Sequence, residues 1–423
     1  MPTKKHETPA PRLLVADRDG NVYDHPDLLM LCRRGEELAL PRPDELIPLP
    51  EESEFFLLPG RYAMGLDPAT GAVEVLDELA VAAFVCPAHT VTGVAAYDAD
   101  EDAPLLPLLS YAAIGYADDR FWVCAKKVDQ DRRQVFTGIA QDRIRSGAHA
   151  LMKKFPENRL VRHLTGCALT YGCPAAKNLS LGRFEAPLPT AKTCNARCVG
   201  CISLQDEGSG FPSPQERIQF TPTVEEIVEI MLHHSAREKR AVLSFGQGCE
   251  GEPLTGSGLL AEATRRYKSA GGTGTVNVNT NASLPEAVIE VAEAGMDSMR
   301  VSLNSARKAP YEAYYRPKGY AFEDVVRSIH EAKERRMFVS LNYLFFPGVN
   351  DTEEEFAALA ELVRETHLDF IQLRNLNLDP ELYLELMQPF EPGPSMGFTN
   401  FRKRLRKSCD WLKFGYFNPY LGG

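Results

Sequence analysis

Residues 189–201 read PTAKTCNARCVGC, an extended segment that opens on proline and runs directly into Cys194, Cys198 and Cys201. The pattern on its C-terminal side decides the fold. Extended segments at 189–193, 241–246, 276–281, 299–304, 338–345 and 370–376 alternate with helical patterns at 224–236, 258–269, 285–294, 322–336 and 353–366. In the last of these, EEEFAALAELVRETH, Phe356, Leu359, Leu362 and Val363 share one face. Thr221 or Thr223, Ser283 ahead of Pro285, and Asp351-Thr352 supply helix caps. Six β/α units in this order predict a parallel sheet covered by helices. Six is two short of a closed eightfold barrel, so the expectation is an α/β fold with an open, partial (β/α)6 TIM-like barrel over residues 186–380. Chemistry in such sheets sits at the C-terminal strand ends, which makes the residues closing each strand the ones to read.

Upstream the character changes. Short apolar runs at Leu13–Ala16, Phe55–Leu58, Val81–Val85 and Phe121–Ala125, broken by Pro and Gly, predict a mixed or β-rich accessory domain over residues 12–150. Its acidic run, Asp98–Asp102, lacks the Gly and Glu of a calcium loop and reads as solvated. Residues 151–185 form a linker with two cysteines, and residues 381–423 a helical and aromatic extension. There the basic stretch Phe401–Lys407, followed by Trp411, Phe414, Tyr416 and Phe417, is expected to be a last helix closing the open sheet edge.

The 423 residues carry 47 Lys and Arg against 58 Asp and Glu, a net charge of −11, which argues against broad nucleic-acid binding. The longest apolar run, Leu79–Cys86, is far too short for a membrane span, and no apolar leader follows the N-terminus, so a cytoplasmic location is expected. Ten cysteines in a reducing compartment point to metal ligands, reactive thiols or core residues rather than disulfides. Cys32, Cys86 and Cys124 lie in apolar contexts and read as buried hydrophobes. Cys167, Cys173, Cys194, Cys198 and Cys201 crowd into one stretch. Three thiolates spaced as Cys194, Cys198 and Cys201 can wrap one cubane iron–sulfur cluster and leave one iron open; a structural zinc, or a closed cluster with a remote fourth cysteine, uses the same spacing.

With the strand ends added, the sequence resembles the radical S-adenosylmethionine (SAM) superfamily over about Leu188–Asn377. The signature C-x3-C-x2-C ends the first strand, and Gly251-Glu252-Pro253 stands where the family carries a GGEP-type segment. Asn279-Thr280-Asn281, Ser302-Leu303-Asn304, Pro347-Gly348-Val349-Asn350-Asp351 and Gln372–Asn377 close or follow the later strands. The resemblance implies a [4Fe–4S] cluster on Cys194, Cys198 and Cys201, SAM on the open iron, and oxygen sensitivity. Glu252 would accept the SAM ammonium, the Gly251 backbone would admit the methionine, and Ser302 and Asn304 would hold the ribose and carboxylate, assisted by Thr280 and Asn281. A reductant such as flavodoxin or ferredoxin would be the partner.

Two departures matter. The family's usual aromatic before the third cysteine is Gly200, so adenine needs another contact. The usual second glycine of the GGE segment is Glu250, preceded by Cys249. Cys249 is the candidate catalytic thiol, as hydrogen-atom donor, thiyl relay or extra ligand, against a plain packing role. Cys167 and Cys173 are candidate ligands of a second iron–sulfur cluster, which Cys249, Cys124 or His163 would have to complete. The expected function is reductive SAM cleavage and hydrogen abstraction from an unidentified substrate, a peptide, protein or cofactor precursor being favoured over RNA. The alternative is a non-catalytic iron–sulfur or zinc protein, or an electron-transfer module, that retains the barrel.

Overall fold

The computed structural model describes residues 9–422. The chain divides into two compact units, each assembled from separated segments. One takes the chain up to Asp129 together with Leu344–Ala358 and Leu373–Asp410; the other takes Gln130–Tyr343, Leu359–Gln372 and the chain from Trp411 on.

The first unit is built on a twelve-stranded antiparallel sheet, the β-rich architecture expected of the N-terminal region. Its longest hairpin pairs Glu54–Leu66 with Val73–Phe84. The Asp67 carboxylate shapes the turn by accepting from the Ala69 N–H and the Thr70 hydroxyl, both at 2.7 Å. Leu13, Val15, Leu28, Leu58, Ala63 and Tyr111 form the main core. Arg61 is buried among them, with its guanidinium 2.7 Å from Asp379 and bonded to the Pro59 and Pro104 carbonyls, so every charge there is compensated. Cys32, Cys86 and Cys124 are buried, as their apolar surroundings require.

The second unit holds the partial barrel. Its strands run Glu185–Pro187, Val242–Phe245, Thr275–Thr280, Ser298–Leu303, Phe338–Phe345, Phe370–Asn375 and Lys413–Gly415, in sheet order identical to chain order. Helices at Val224–Ser235, Ser257–Ser269, Pro285–Glu293, Phe322–Glu334 and Glu353–Thr366 fall between them. Val242–Phe245 and Thr275–Thr280 are buried at every position, as parallel strands covered on both faces must be. Ahead of the barrel, residues 151–185 are mostly helical, with helices at Arg159–Leu169 and Pro174–Leu181.

Two expectations need correction. The first strand is Glu185–Pro187, not 189–193. Pro189 has no N–H to donate, and the next two amides, of Thr190 and Ala191, donate to the Glu250 carboxylate at 2.7 and 2.9 Å instead of to a neighbouring strand. The basic stretch does form a helix, Phe398–Ser408, with Phe401 and Leu405 buried, but the sheet edge is taken by Lys413–Gly415 paired in parallel with Phe370–Gln372. Three residues carry too little periodicity to be seen in a sequence. Beyond that strand the tail enters the barrel. The Asn418 amide donates to Glu185, Asn279 and Ser244 and accepts from Gln372, joining four strands through one side chain.

Candidate active site

The loop Cys194–Cys201 has no regular structure of its own and is held from several sides. The Arg197 and Val199 amides donate to the Tyr315 and Tyr314 carbonyls at 3.0 Å, and the Lys318 amide donates to the Asn195 carbonyl at 2.8 Å. The Asn195 side chain bonds Ser283 and Asn281, which tie the loop to the end of the third strand. The Gln205 amide donates to the Val199 and Cys201 carbonyls. A flexible loop would waste ligand geometry; this one is cross-linked before any metal arrives.

The three cysteines are half-buried. Desolvation and the nearby Glu252 charge lift the Cys194 thiol to about 11. Desolvation and the fields of Cys194 and Cys201 push Cys198 up as well. The Arg217 guanidinium lies 3.5 Å from the Cys201 sulfur and also holds the Ser203 hydroxyl at 3.1 Å. The raised Cys194 and Cys198 thiols fit a cationic metal group, which would favour their thiolate forms. The buried Tyr315 hydroxyl, whose ionisation is opposed by burial and then by the Cys198 charge, has no hydrogen-bond partner among the described residues and suits an acceptor brought by such a group. Tyr311 stacks on Tyr315 with ring centroids 4.6 Å apart and hydrogen-bonds Tyr320 at 3.1 Å. Neither Arg217 nor this tyrosine group was singled out in the sequence. A YEAYYRPKGY run (311–320) is the signal that points to the latter.

Gly251 and Glu252 are stitched to the segment entering the loop. Their amides donate to the Ala191 and Thr193 carbonyls at 2.7 and 2.9 Å. A Cβ on Gly251 would lie 1.9 Å from the Thr193 oxygen, so close backbone approach by itself demands glycine. The Glu252 carboxylate is buried and accepts from the Thr280 hydroxyl (2.5 Å), the Asn281 amide (2.8 Å) and the Leu254 amide (3.0 Å). Burial outweighs these bonds and pushes its pKa up to about 7. Glu250 is also raised to about 7 by burial, but its oxygens are spent on Thr190, Ala191 and Gln247. It is a structural clamp at the position where the family usually carries glycine. Gly251, Glu252, Thr280 and Asn281 thus form one bonded group with Asn195 of the cysteine loop. Ser302 and Asn304 make other contacts: Ser302 accepts from Asn342 at 3.3 Å, and Asn304 donates to the Pro310 carbonyl at 3.2 Å.

Residues 188–362 match the model of the radical SAM superfamily. That segment carries a radical SAM domain. A [4Fe–4S] cluster and SAM are that family's cofactors, and the donor set described above fits them. GTP 3',8-cyclase of Heliobacterium modesticaldum is 29% identical over 182 residues, 43% of this chain and 52% of that protein. Human molybdenum cofactor biosynthesis protein 1 is 28% identical over 197 residues, covering 43% of this chain and 27% of that one. The chain therefore spans about half, or less, of the length of these curated relatives. Similar solved structures include the FeFe-hydrogenase maturase HydG from Carboxydothermus hydrogenoformans (12% identity, 65% of this chain, 76% of that chain, TM-score 0.34). Another is a radical SAM methyltransferase from Sphaerobacter thermophilus (15% identity, 54% and 66%, TM-score 0.38). Among the described residues no helix is long and apolar enough to cross a membrane.

The second unit holds another thiol group. His163 and Cys167 lie four residues apart on the helix Arg159–Leu169, and Cys249 follows the second barrel strand. The His163 Nε2 is 3.5 Å from each of the two sulfurs. A hydrogen bond from Cys249 and the His163 ring draw the Cys167 thiol down, while that bond and burial drive Cys249, the donor, up. Cys173, half-buried, packs against the same cluster. Cys124 is elsewhere, hydrogen-bonded to Cys32 in the antiparallel unit.

Proposed function

We propose that Cys194, Cys198 and Cys201 hold the cluster, and that Glu252, with Gly251, Thr280 and Asn281, receives the amino-acid end of SAM. The observation that carries this reading is the bonding of Glu252, Thr280, Asn281 and Asn195 into one group with the cysteine loop. Ser302 and Asn304 complete the polar strand ends toward the ribose. The tyrosines at 311, 315 and 320 supply the aromatic surface that Gly200 does not. Arg217 steadies the Cys201 sulfur as an anion. When bound there, the cluster and SAM would supply one-electron reductive chemistry for hydrogen abstraction from substrate.

The substrate class we favour is a peptide, protein or cofactor precursor over RNA. The acidic net charge supports this, and so does similarity to proteins named for GTP cyclisation and molybdenum cofactor biosynthesis. A flavodoxin- or ferredoxin-type reductant is the expected partner. A purely electron-transferring protein would have no use for the Glu252 group. The test is anaerobic reconstitution with iron and sulfide, chemical reduction, and assay of SAM for 5'-deoxyadenosine. Release above a no-protein control supports the reading; intact iron–sulfur protein that never binds SAM would sink it.

A further inference from the structure

We propose that His163, Cys167 and Cys249 bind a single zinc ion, at a site distinct from the cysteine triplet of the loop. A tetrahedral ion with about 2.3 Å to sulfur and about 2.0–2.1 Å to imidazole nitrogen places nitrogen and sulfur about 3.6 Å apart. Both nitrogen–sulfur distances here are 3.5 Å. The three ligand atoms all lie within 4.8 Å of one another, and among the described residues no other set of His, Cys, Asp or Glu side chains converges this closely.

Two comparisons sharpen the assignment. A neutral imidazole offers one lone pair or one N–H at Nε2, enough for one thiol, yet two sulfurs stand equally far from it. One ion shared by all three groups accounts for that symmetry. The triplet Cys194, Cys198 and Cys201 does not converge within the same limit, as befits thiolates bound to different irons of a cubane. The group at His163 is too tight for a cubane and right for one ion. Two thiolates and an imidazole suit zinc, and Cys173 is the neighbouring thiol from which a fourth ligand would come.

The surroundings are prepared. Asn158 caps the helix carrying His163 and Cys167 by accepting from Val161 at 2.9 Å. Phe220 packs edge-on against the His163 ring. The Ile218 amide fixes the Cys249 carbonyl at 2.8 Å, and the Cys173 amide fixes that of Cys167 at 3.0 Å. Zinc is redox-inactive, so the site braces the segment leading into Gly251-Glu252 rather than relaying electrons. Cys249 is then a ligand, not a hydrogen-atom donor.

The experiment uses full-length protein carrying Cys194→Ala, Cys198→Ala and Cys201→Ala, equilibrated with zinc, desalted, and analysed for zinc, iron and acid-labile sulfide. The expected result is about one zinc per chain without sulfide, and, after cobalt(II) exchange, tetrahedral d–d bands with thiolate charge-transfer absorption. Adding Cys249→Ser or His163→Gln is expected to weaken zinc binding more than about 100-fold, beyond the 10–100-fold loss typical of disturbing a ligand's supporting partner. Circular dichroism of the metal-free variants separates this from misfolding. Retained iron with stoichiometric sulfide, no zinc in a folded triple variant, or zinc indifferent to both added substitutions each overturns the proposal. The triple variant lacks the loop cysteines, so this outcome is independent of the cluster reading.

Discussion

The two thiol groups of the second unit are made from the same chemistry and solve different problems. The loop triplet is local: Cys194, Cys198 and Cys201 lie within eight consecutive residues, and the fold's task is to hold that short loop still. The group at His163 is assembled, for Cys249 reaches the imidazole across 86 residues of sequence. The triplet's sulfurs stay apart, and Glu252 adds a negative charge beside them. The second group's ligand atoms converge around one point. Spacing along the chain therefore announces a ligand set without giving its nuclearity, which depends on how far apart the sulfurs finally sit.

The largest expected effect comes from breaking the local set. Cys198→Ala should abolish the cubane EPR signal and 5'-deoxyadenosine formation while leaving any zinc at His163 in place. Loss of both metals from that single change would show that the two groups are one site. Next is Glu252→Gln, which removes a charge-assisted contact of about 1.5–3 kcal/mol and should weaken SAM binding about 10–100-fold by titration calorimetry. The wild-type pH dependence sharpens this. With its pKa raised from 4.5 to about 7, Glu252 is largely protonated in the free protein below that point. SAM affinity should rise as pH increases through about 7, with proton release visible when the titration is repeated in buffers of different ionisation enthalpy. The same shift has the opposite sign for folding. A carboxyl raised in the fold adds stability below about 4.5 that is lost as pH climbs to about 7, so Glu250 and Glu252 make the metal-free protein less resistant to urea across that window.

A smaller effect tests the asymmetry within the triplet. Arg217→Met removes the cation at Cys201 and should lower the cluster's reduction potential by something on the order of tens of mV in a redox titration, with Arg217→Lys recovering part of it. The smallest is Tyr315→Phe. It deletes a buried hydroxyl that has no hydrogen-bond partner among the described residues, so the metal-free protein should gain about 1 kcal/mol in urea unfolding, while the cluster-loaded protein should not. Equal gains in both forms would remove Tyr315 from the cluster's surroundings.

Much of the barrel was legible because its signals are short-range. The five later strands lie within one residue of their expected bounds at either end, and the five helices within two, since each is written in its own periodicity and caps. The first strand was misplaced for a reason no local pattern carries: Glu250, some sixty residues on, takes the Thr190 and Ala191 amides that a strand would have used. The seventh strand, Lys413–Gly415, was hidden by its brevity, and the role of Asn418 by its dependence on side chains from four strands.

By itself the sequence determined the family-bearing elements: the cysteine spacing, Gly251-Glu252-Pro253, the polar strand ends and the β/α order that makes a parallel sheet unavoidable. Those are properties of neighbouring residues, and hydrogen-bond geometry and apolar periodicity act at that range. Only the tertiary structure decided which distant groups meet. It set the Glu250 carboxylate on the Thr190 and Ala191 amides, Arg217 on the Cys201 sulfur, the tyrosines beside the loop, and His163 between Cys167 and Cys249. Such meetings follow from packing of whole elements, where a shift of one helix by one residue would turn a ligand away, and no stretch of the chain records that outcome alone.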